Sequence, residues 1–324
     1  MILAGDIGGT NSRIALFRQE AGRLRQELEK IYPSREHKGL DEILRIFLRD
    51  TGAKVEAACF GIAGPVLHGR VSTSNLPWVV DTSDLTRQLG IRAVWLINDL
   101  LAHASGIGDL EATDFTNLNS SVSAEGNAAL IAAGTGLGEA GLYWDGTQHR
   151  AFPCEGGHSD FAPRNDSEIA LLQYLLKKFG RVSYERVLSG PGLKNIYDFL
   201  RDSGLETEPQ WLQDELRQAN DPVAVISRHG VAAKARICER ALDMFVDVYG
   251  AEAGNLALKL MATGGLFISG GIAAHILPKL TQPAFMHAFV AKGRLQPLLE
   301  AIPVKIITND QVGLIGSARY AARK

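Results

Sequence analysis

The chain has 324 residues, 46% apolar and 22% charged, and its Lys plus Arg (34) nearly balance Asp plus Glu (36) for a net charge of −2. That length exceeds one ordinary core and predicts two domains, while the charge balance argues against a polybasic surface for nucleic acid or anionic membrane. Cys59, Cys154 and Cys238 show no CxxC spacing, which argues against a disulfide framework or zinc knuckle and for free thiols in a reducing cytoplasm.

In chain order, residues 2–6 predict a buried strand and residues 12–17 its hairpin partner across a glycine turn. Met1 leads straight into this strand and Arg13 is the first basic side chain, so no secretory leader is expected. Leu40, Ile43, Leu44, Phe47 and Leu48 recur at helical spacing. Residues 55–62 read as a strand broken by Ala63-Gly64-Pro65, residues 81–89 as a short helix, and residues 91–97 as a strand ending at Asn98-Asp99 before a helix over 100–107. A boundary falls at Gly106-Ile107-Gly108, and 109–126 reads as polar connection. Residues 128–133, 134–138 and 140–144 then repeat the opening strand, glycine turn and strand.

Helices dominate from 167 to 262, with Ile237, Ala241, Met244 and Val248 on one face. Residues 260–278 carry no Asp, Glu, Lys or Arg, but Gly264-Gly265 and Gly270-Gly271 divide them into a buried strand and a helix, so a membrane span is rejected. Residues 304–308 and 312–321 predict a final strand and helix. The pattern is α/β.

Asp6-Ile7-Gly8-Gly9-Thr10-Asn11 suits a phosphate turn. Glycine lets N–H groups converge on an oxyanion, Thr10 and Asn11 can donate, and Asp6 can hold magnesium through water. The turn contains no lysine, so it is not a Walker A loop. In the second turn, Gly136, Gly138 and Gly141 fit a dinucleotide pattern, with Glu155 at a plausible distance for a ribose-binding acid. Residues 142–146 nevertheless read as a strand ending in a turn where that site needs a helix N-terminus, so the hairpin reading is preferred. Two such turns, one opening each half, suggest a duplicated phosphate clamp with a cleft between the halves.

Asn98-Asp99 would emerge at the carboxyl end of its strand, where open α/β sheets bind ligands. From that motif alone, Asp99 as cap of the following helix is the better reading. Glu155-Gly156-Gly157-His158 puts an acceptor and a switchable donor on a flexible turn, with no second His or Cys at metal-ligand spacing. Glu185 is either a site acid or a first-turn helix charge near an N-cap serine.

Together with Leu76-Pro77-Trp78, Asp160-Phe161-Ala162-Pro163, Glu185-Arg186-Val187-Leu188-Ser189-Gly190-Pro191-Gly192 and Gly270-Gly271-Ile272, these islands span nearly the whole chain. The chain resembles the bacterial glucokinases of the hexokinase/actin-like ATPase superfamily, in the branch lacking the zinc motif. The resemblance implies a two-domain actin-like ATPase (ribonuclease H-like) fold. A cleft would separate a small α/β domain, 1–108 plus 304–324, from a larger α+β domain, 109–303.

It implies ATP-dependent phosphorylation of glucose to glucose 6-phosphate, with ATP and Mg2+ as cofactors. Asn98, Asp99, Glu155, His158 and Glu185 would line the glucose site. Gly5, Asp6, Ile7, Gly8, Gly9, Thr10 and Asn11, with Gly134, Thr135, Gly136 and Gly138, would hold the phosphates, and Gly270 and Gly271 would lie near the adenosine. Asp99 is the expected general base, domain closure on the sugar the expected guard against ATP hydrolysis, and a homodimer the expected assembly.

Two departures stand out: Glu139, where the family more often has an apolar residue, and Ser74 before Asn75. The alternatives are a kinase of another hexose, a non-catalytic sugar or nucleotide sensor and, more distantly, a nicotinamide oxidoreductase.

Overall fold

Alternation of buried side chains organises the first sheet. In the computed structural model, which describes residues 1–73, 76–122 and 124–324, the chain divides into two units. The departure at Ser74 and Asn75 lies outside the described residues. The first unit comprises Met1–Asp114, His149–Pro153 and Asn309–Lys324.

Strand β1 (Ile2–Ile7) pairs antiparallel with β2 (Asn11–Glu20), which pairs with β3 (Arg23–Pro33). On its other side β1 runs parallel to β4 (Ala57–Ile62). Beyond a ribbon of β5 (Arg70–Ser72) and β6 (Val79–Asp81), β7 (Ala93–Asn98) completes the order β3-β2-β1-β4-β7. Leu3, Ile7 and Phe60 face one way, into a core with Leu40, Ile43, Leu44 and Phe47 of helix α1 (Leu40–Thr51). Ile2, Ala4 and Cys59 face the other way, against Leu314, Ala318 and Ala321 of the C-terminal helix Val312–Ala322. The period of two thus sorts one strand into two cores.

Helix α2 (Thr82–Leu89) starts at Asp81, whose carboxylate accepts the N–H groups of Ser83 and Asp84. Helix α3 (Asp99–Gly106) crosses the C-terminal helix closely, since a Cβ at Gly316 would fall 1.7 Å from the Ala102 carbonyl oxygen.

The second unit comprises Phe115–Gln148 and Cys154–Thr308. Its strands are β8 (Phe115–Asn117), β9 (Ala128–Ala133), β10 (Leu137–Trp144), the end of β11 (His149–Cys154), β12 (Gly265–Ser269) and β13 (Val304–Ile307). Strands β9 and β10 form an antiparallel hairpin, β12 runs parallel to both β9 and β13, and β8 closes the edge.

Strand β13 was expected on the small domain. Its partners are in this second sheet, and of the last two elements only the helix returns to the first unit. The stretch expected to be polar connection supplies β8, which is short and only half-buried.

Helices α4 (Asp166–Phe179), α5 (Gly190–Asp202), α6 (Gln210–Gln218), α7 (Pro222–Val231) and α8 (Arg236–Leu260) follow β11. Ile237, Ala241 and Val248 of α8 are buried in the main core, with Met244 packed against it. Among the described residues, no helix is long and apolar enough to cross a membrane.

Candidate functional site

In the first unit, strand register places the polar groups. Ile7 pairs with Ile62 and Ile62 with Asn98, so the glycine turn after β1 and the Asn98-Asp99 pair lie at the same carboxyl-terminal end of the sheet. Two parallel-strand spacings separate them, about 10 Å. The turn is braced from below: Gly8 N–H donates to the Asn11 carbonyl at 3.0 Å, Ser34 N–H to the Thr10 carbonyl at 2.8 Å, and Ser34 Oγ to the Gly8 carbonyl at 2.7 Å. Among the described residues, no hydrogen bond engages the N–H of Gly9 or Thr10. Gly5 has a packing reason of its own, because a Cβ there would lie 2.5 Å from the Phe60 ring.

Asp6 stands opposite Arg13 in the β1–β2 register, and Arg13 donates to Asp310 at 2.6 Å. Burial pushes the Asp6 carboxyl up to about 6, against the pull of Arg13. Asn98, not Asp99, is the N-cap of α3, its Oδ1 accepting the Leu100 N–H at 2.9 Å while Nδ2 donates to the Gly64 carbonyl at 3.3 Å. Asp99 is the first helical residue, and its Oδ1 also accepts the Leu100 N–H, at 3.0 Å. The capping role expected of Asp99 therefore falls mainly to its neighbour. Burial raises the Asp99 carboxyl, opposed by His103 one turn along the same face, whose own imidazole burial pushes down.

In the second unit, the β9–β10 turn is closed by Gly134 N–H donating to the Gly136 carbonyl at 2.8 Å. It is anchored by Gly190 N–H to the Gly134 carbonyl, also at 2.8 Å. Glu185 lies in the 3-10 turn Tyr184–Arg186 and its Oε2 accepts the Leu137 N–H at 3.0 Å. It is also a first-turn charge there, behind Ser183, the N-cap residue of that 3-10 turn, which makes no side-chain cap hydrogen bond; the side-chain cap lies further on. That cap is Ser189, whose Oγ accepts Gly192 N–H at 3.0 Å at the head of α5. The N–H groups of Thr135 and Gly136 have no hydrogen bond among the described residues.

Gly270, at φ +94, sits where a Cβ would meet the Ala133 carbonyl at 2.7 Å, so it and Gly271 abut the start of this turn. Gly138 lies one step further along, in β10 opposite Ala132.

Glu155 precedes the 3-10 turn Gly156–His158, and both it and His158 are exposed. Expected to be flexible, this segment is tightly packed instead. A Cβ at Gly157 would lie 2.1 Å from the Leu137 carbonyl oxygen, and one at Gly156 1.8 Å from Glu139 Oε2. Tyr184 N–H donates to the Ser159 carbonyl at 2.9 Å, which ties the turn to the Glu185 segment. The second unit thus brings together Glu155, His158, Glu185, Gly134–Gly138 and Gly270-Gly271. The first brings together Asp6–Asn11 with Asn98 and Asp99.

Arg13, Asp310 and His103 were not singled out from the sequence. His103 was legible as the residue four past Asp99 on a helix, whereas Asp310 reaches Arg13 only through the fold. The three cysteines are free, Cys59 and Cys238 buried and Cys154 half-buried beside Glu155.

A family model described as Glucokinase matches residues 3–324. The glucokinase of Nostoc sp. strain PCC 7120 is 45% identical over 339 residues, covering 100% of this chain and 99% of that one. The crystal structure of a glucokinase from an Antarctic psychrotroph matches with TM-score 0.87 at 30% identity, covering 100% and 99% of the two chains. A ROK family glucokinase from Streptomyces griseus in complex with glucose and AMPPNP shares the fold, with TM-score 0.67 at 18% identity over 100% and 99%. The fold is that of the actin-like ATPases, and with a full-length match in both sequence and architecture the chain belongs to the glucokinase family.

Proposed function

We propose that the chain transfers the γ-phosphoryl group of ATP to the 6-hydroxyl of glucose, with Asp99 accepting the hydroxyl proton. The observation that carries this reading is the register that sets Asp99 and the glycine turn at one end of the sheet, the turn keeping N–H donors without partners among the described residues. A sugar hydroxyl is a poor nucleophile at neutral pH, and a carboxylate in hydrogen-bond reach takes its proton as the bond to phosphorus forms. Phosphoryl transfer proceeds through a loose transition state, so placement and charge neutralisation supply most of the rate.

In each unit the open N–H groups suit phosphate oxygens: Gly9 and Thr10 in one, Thr135 and Gly136 in the other. Gly270-Gly271, against the second turn, suits the nucleoside end of ATP.

For magnesium, the donor set is sparse. Among the described residues no group of three or more His, Cys, Asp or Glu could hold a metal. A single carboxylate, Asp6, beside a phosphate turn fits an ion that keeps its waters and takes its other ligands from the nucleotide. When bound, magnesium would neutralise charge on the β and γ oxygens.

Glu155, His158, Glu185 and Asn98 suit the sugar hydroxyls. Asn98 retains one Nδ2 proton, and Glu185 retains Oε1 as an acceptor. A sugar lacking a partner hydroxyl leaves such groups unpaired at about 1–3 kcal/mol each. Free Cys59, Cys154 and Cys238 fit a reducing compartment such as the cytoplasm.

The test is ADP release by the purified protein with ATP-Mg and a panel of hexoses. Release that depends on glucose supports the reading, release with another hexose alone moves the substrate, and release independent of any sugar ends it.

A further inference from the structure

Beneath the Glu155–His158 turn lies a carboxyl pair that the proposed reaction does not use. Glu139 on β10 is 2% exposed and Glu252 on α8 is 0% exposed. Glu252 Oε2 accepts from Asn255 Nδ2 at 2.8 Å, and its Oε1 faces Lys259 Nζ at 3.3 Å. Among the described residues, Glu139 Oε1 has no partner although it is buried. Two ionised carboxylates cannot satisfy each other, and a buried acceptor left unpaired is costly. One proton between them turns repulsion into a carboxyl–carboxyl hydrogen bond.

The pair also touches both segments that carry sugar ligands. Glu139 Oε2 occupies the space a Cβ of Gly156 would need, and the Asn255 amide that donates to Glu252 at 2.8 Å also donates to the hydroxyl of Tyr184, immediately before Glu185, at 3.1 Å.

We propose that Glu139 is a positioning residue for the sugar-binding turn, sharing one proton with Glu252 and thereby holding Gly156–His158 and the Tyr184–Glu185 segment in register. The inference rests on the reading of Glu155, His158 and Glu185 as sugar ligands. It explains why an acid stands at a strand position where the resemblance leads one to expect an apolar side chain: the carboxyl fills the space over Gly156 while its proton meets Glu252.

The charged and titratable groups facing the pair are Lys259 on α8, Lys292 from the segment after residues 283–290, Arg164 before α4, Tyr184, Tyr249, and Cys154 beside the turn. Lys259 bonds Glu252 directly. Lys292 is taken up by the Ala251 carbonyl at 2.9 Å and Asn255 Oδ1 at 2.7 Å, and Arg164 by Glu168 and Asp247. Burial, with Glu252 next in weight, pushes the Glu139 carboxyl up to about 8. Burial also raises Cys154 and both tyrosines above their ordinary values.

Loss of the shared proton places a second negative charge beneath the turn. If glucose binds the protonated pair alone, KM for glucose rises by up to about tenfold between pH 7 and 9 while kcat follows its own profile. The experiment measures KM for glucose and kcat from pH 6.5 to 9.5 for the wild type, Glu139→Gln and Glu155→Gln. It also records amide hydrogen exchange of residues 155–160 in the sugar-free protein, corrected for the intrinsic pH effect.

The wild type should show the rise in KM and faster corrected exchange above pH 8, and Glu139→Gln should flatten both. A wild-type pH dependence that Glu139→Gln leaves intact overturns the proposal, as does corrected exchange in the wild type that does not change with pH. Glu155→Gln tells the two readings apart. An unchanged KM there removes the sugar-ligand assignment, and the exchange arm still decides whether Glu139 holds the turn.

Discussion

The two glycine hairpins look alike as sequence, yet they are built differently. The β1–β2 turn is held by hydroxyl and backbone groups: Ser34 reaches the Gly8 carbonyl, and Ser12 and Ser34 share a buried hydrogen bond at 2.9 Å. The β9–β10 turn is held by a carboxylate, Glu185, and by the head of α5 through Gly190. The first support is neutral and insensitive to pH. The second uses an acid, and two further acids, Glu139 and Glu252, are buried in the same unit. A repeated strand–turn–strand thus supplies the same N–H donors twice, while the surroundings set one copy at the end of the sheet that also carries Asn98 and Asp99 and the other against Glu185 and the Glu155–His158 turn.

The largest expected effect tests the first hairpin's side. Asp99→Ala should lower kcat by about 10²–10⁴-fold while glucose still binds, measured by coupled ADP release and by calorimetry. Undiminished turnover would falsify the base assignment.

Next comes the acidic support of the second. Burial raises Glu139 from 4.5 to about 8. Between those values the native state keeps a proton that the unfolded chain releases, so stability falls as pH rises through that window and levels off above it. Glu139→Gln should remove that slope, amounting to about 3–4 kcal/mol between pH 5 and pH 8 in urea titrations. Parallel wild-type and variant curves would show that the carboxyl is ionised throughout.

A smaller effect is expected from Gly157→Ala, whose methyl group would press on the Leu137 carbonyl oxygen at 2.1 Å and the Leu137 Cβ at 3.0 Å. It should cost about 1–3 kcal/mol in stability and raise KM for glucose more than KM for ATP. Equal effects on both substrates would mean that the turn does not belong to the sugar side.

The mildest is Ser34→Ala, which unpairs the Gly8 carbonyl and Ser12. About 1 kcal/mol of stability and a few-fold rise in KM for ATP are expected. A selective change in KM for glucose would assign the first hairpin to the wrong ligand.

Local pattern made several elements readable. Residues 2–4 are apolar and Gly8-Gly9 ends the strand they open, and the five apolar positions of α1 fall on one helical face. Strand β3 was missed because it is a sheet-edge strand with charges throughout, its hydrogen bonds to β2 leaving most side chains in solvent. The home of β13 was missed because a short apolar strand carries no mark of which sheet it joins. Gly156-Gly157 suggested freedom where the fold needed thinness, since the carbonyl and carboxylate that crowd them come from β10. The cap of α3 moved by one residue because Asn and Asp both cap well and only backbone placement chooses between them.

By itself the sequence determined the two glycine turns, the strand that delivers Asn98 and Asp99 to its carboxyl end, and family membership, because each is written in contiguous residues whose chemistry is local. Tertiary structure alone decided that Arg13 meets Asp310, that Glu185 grips Leu137, and that Glu139 and Glu252 come to share buried space. Those partners are separated by between 48 and 297 positions where hydrogen bonds join them, and no side chain carries in its own chemistry the identity of a neighbour brought to it by packing.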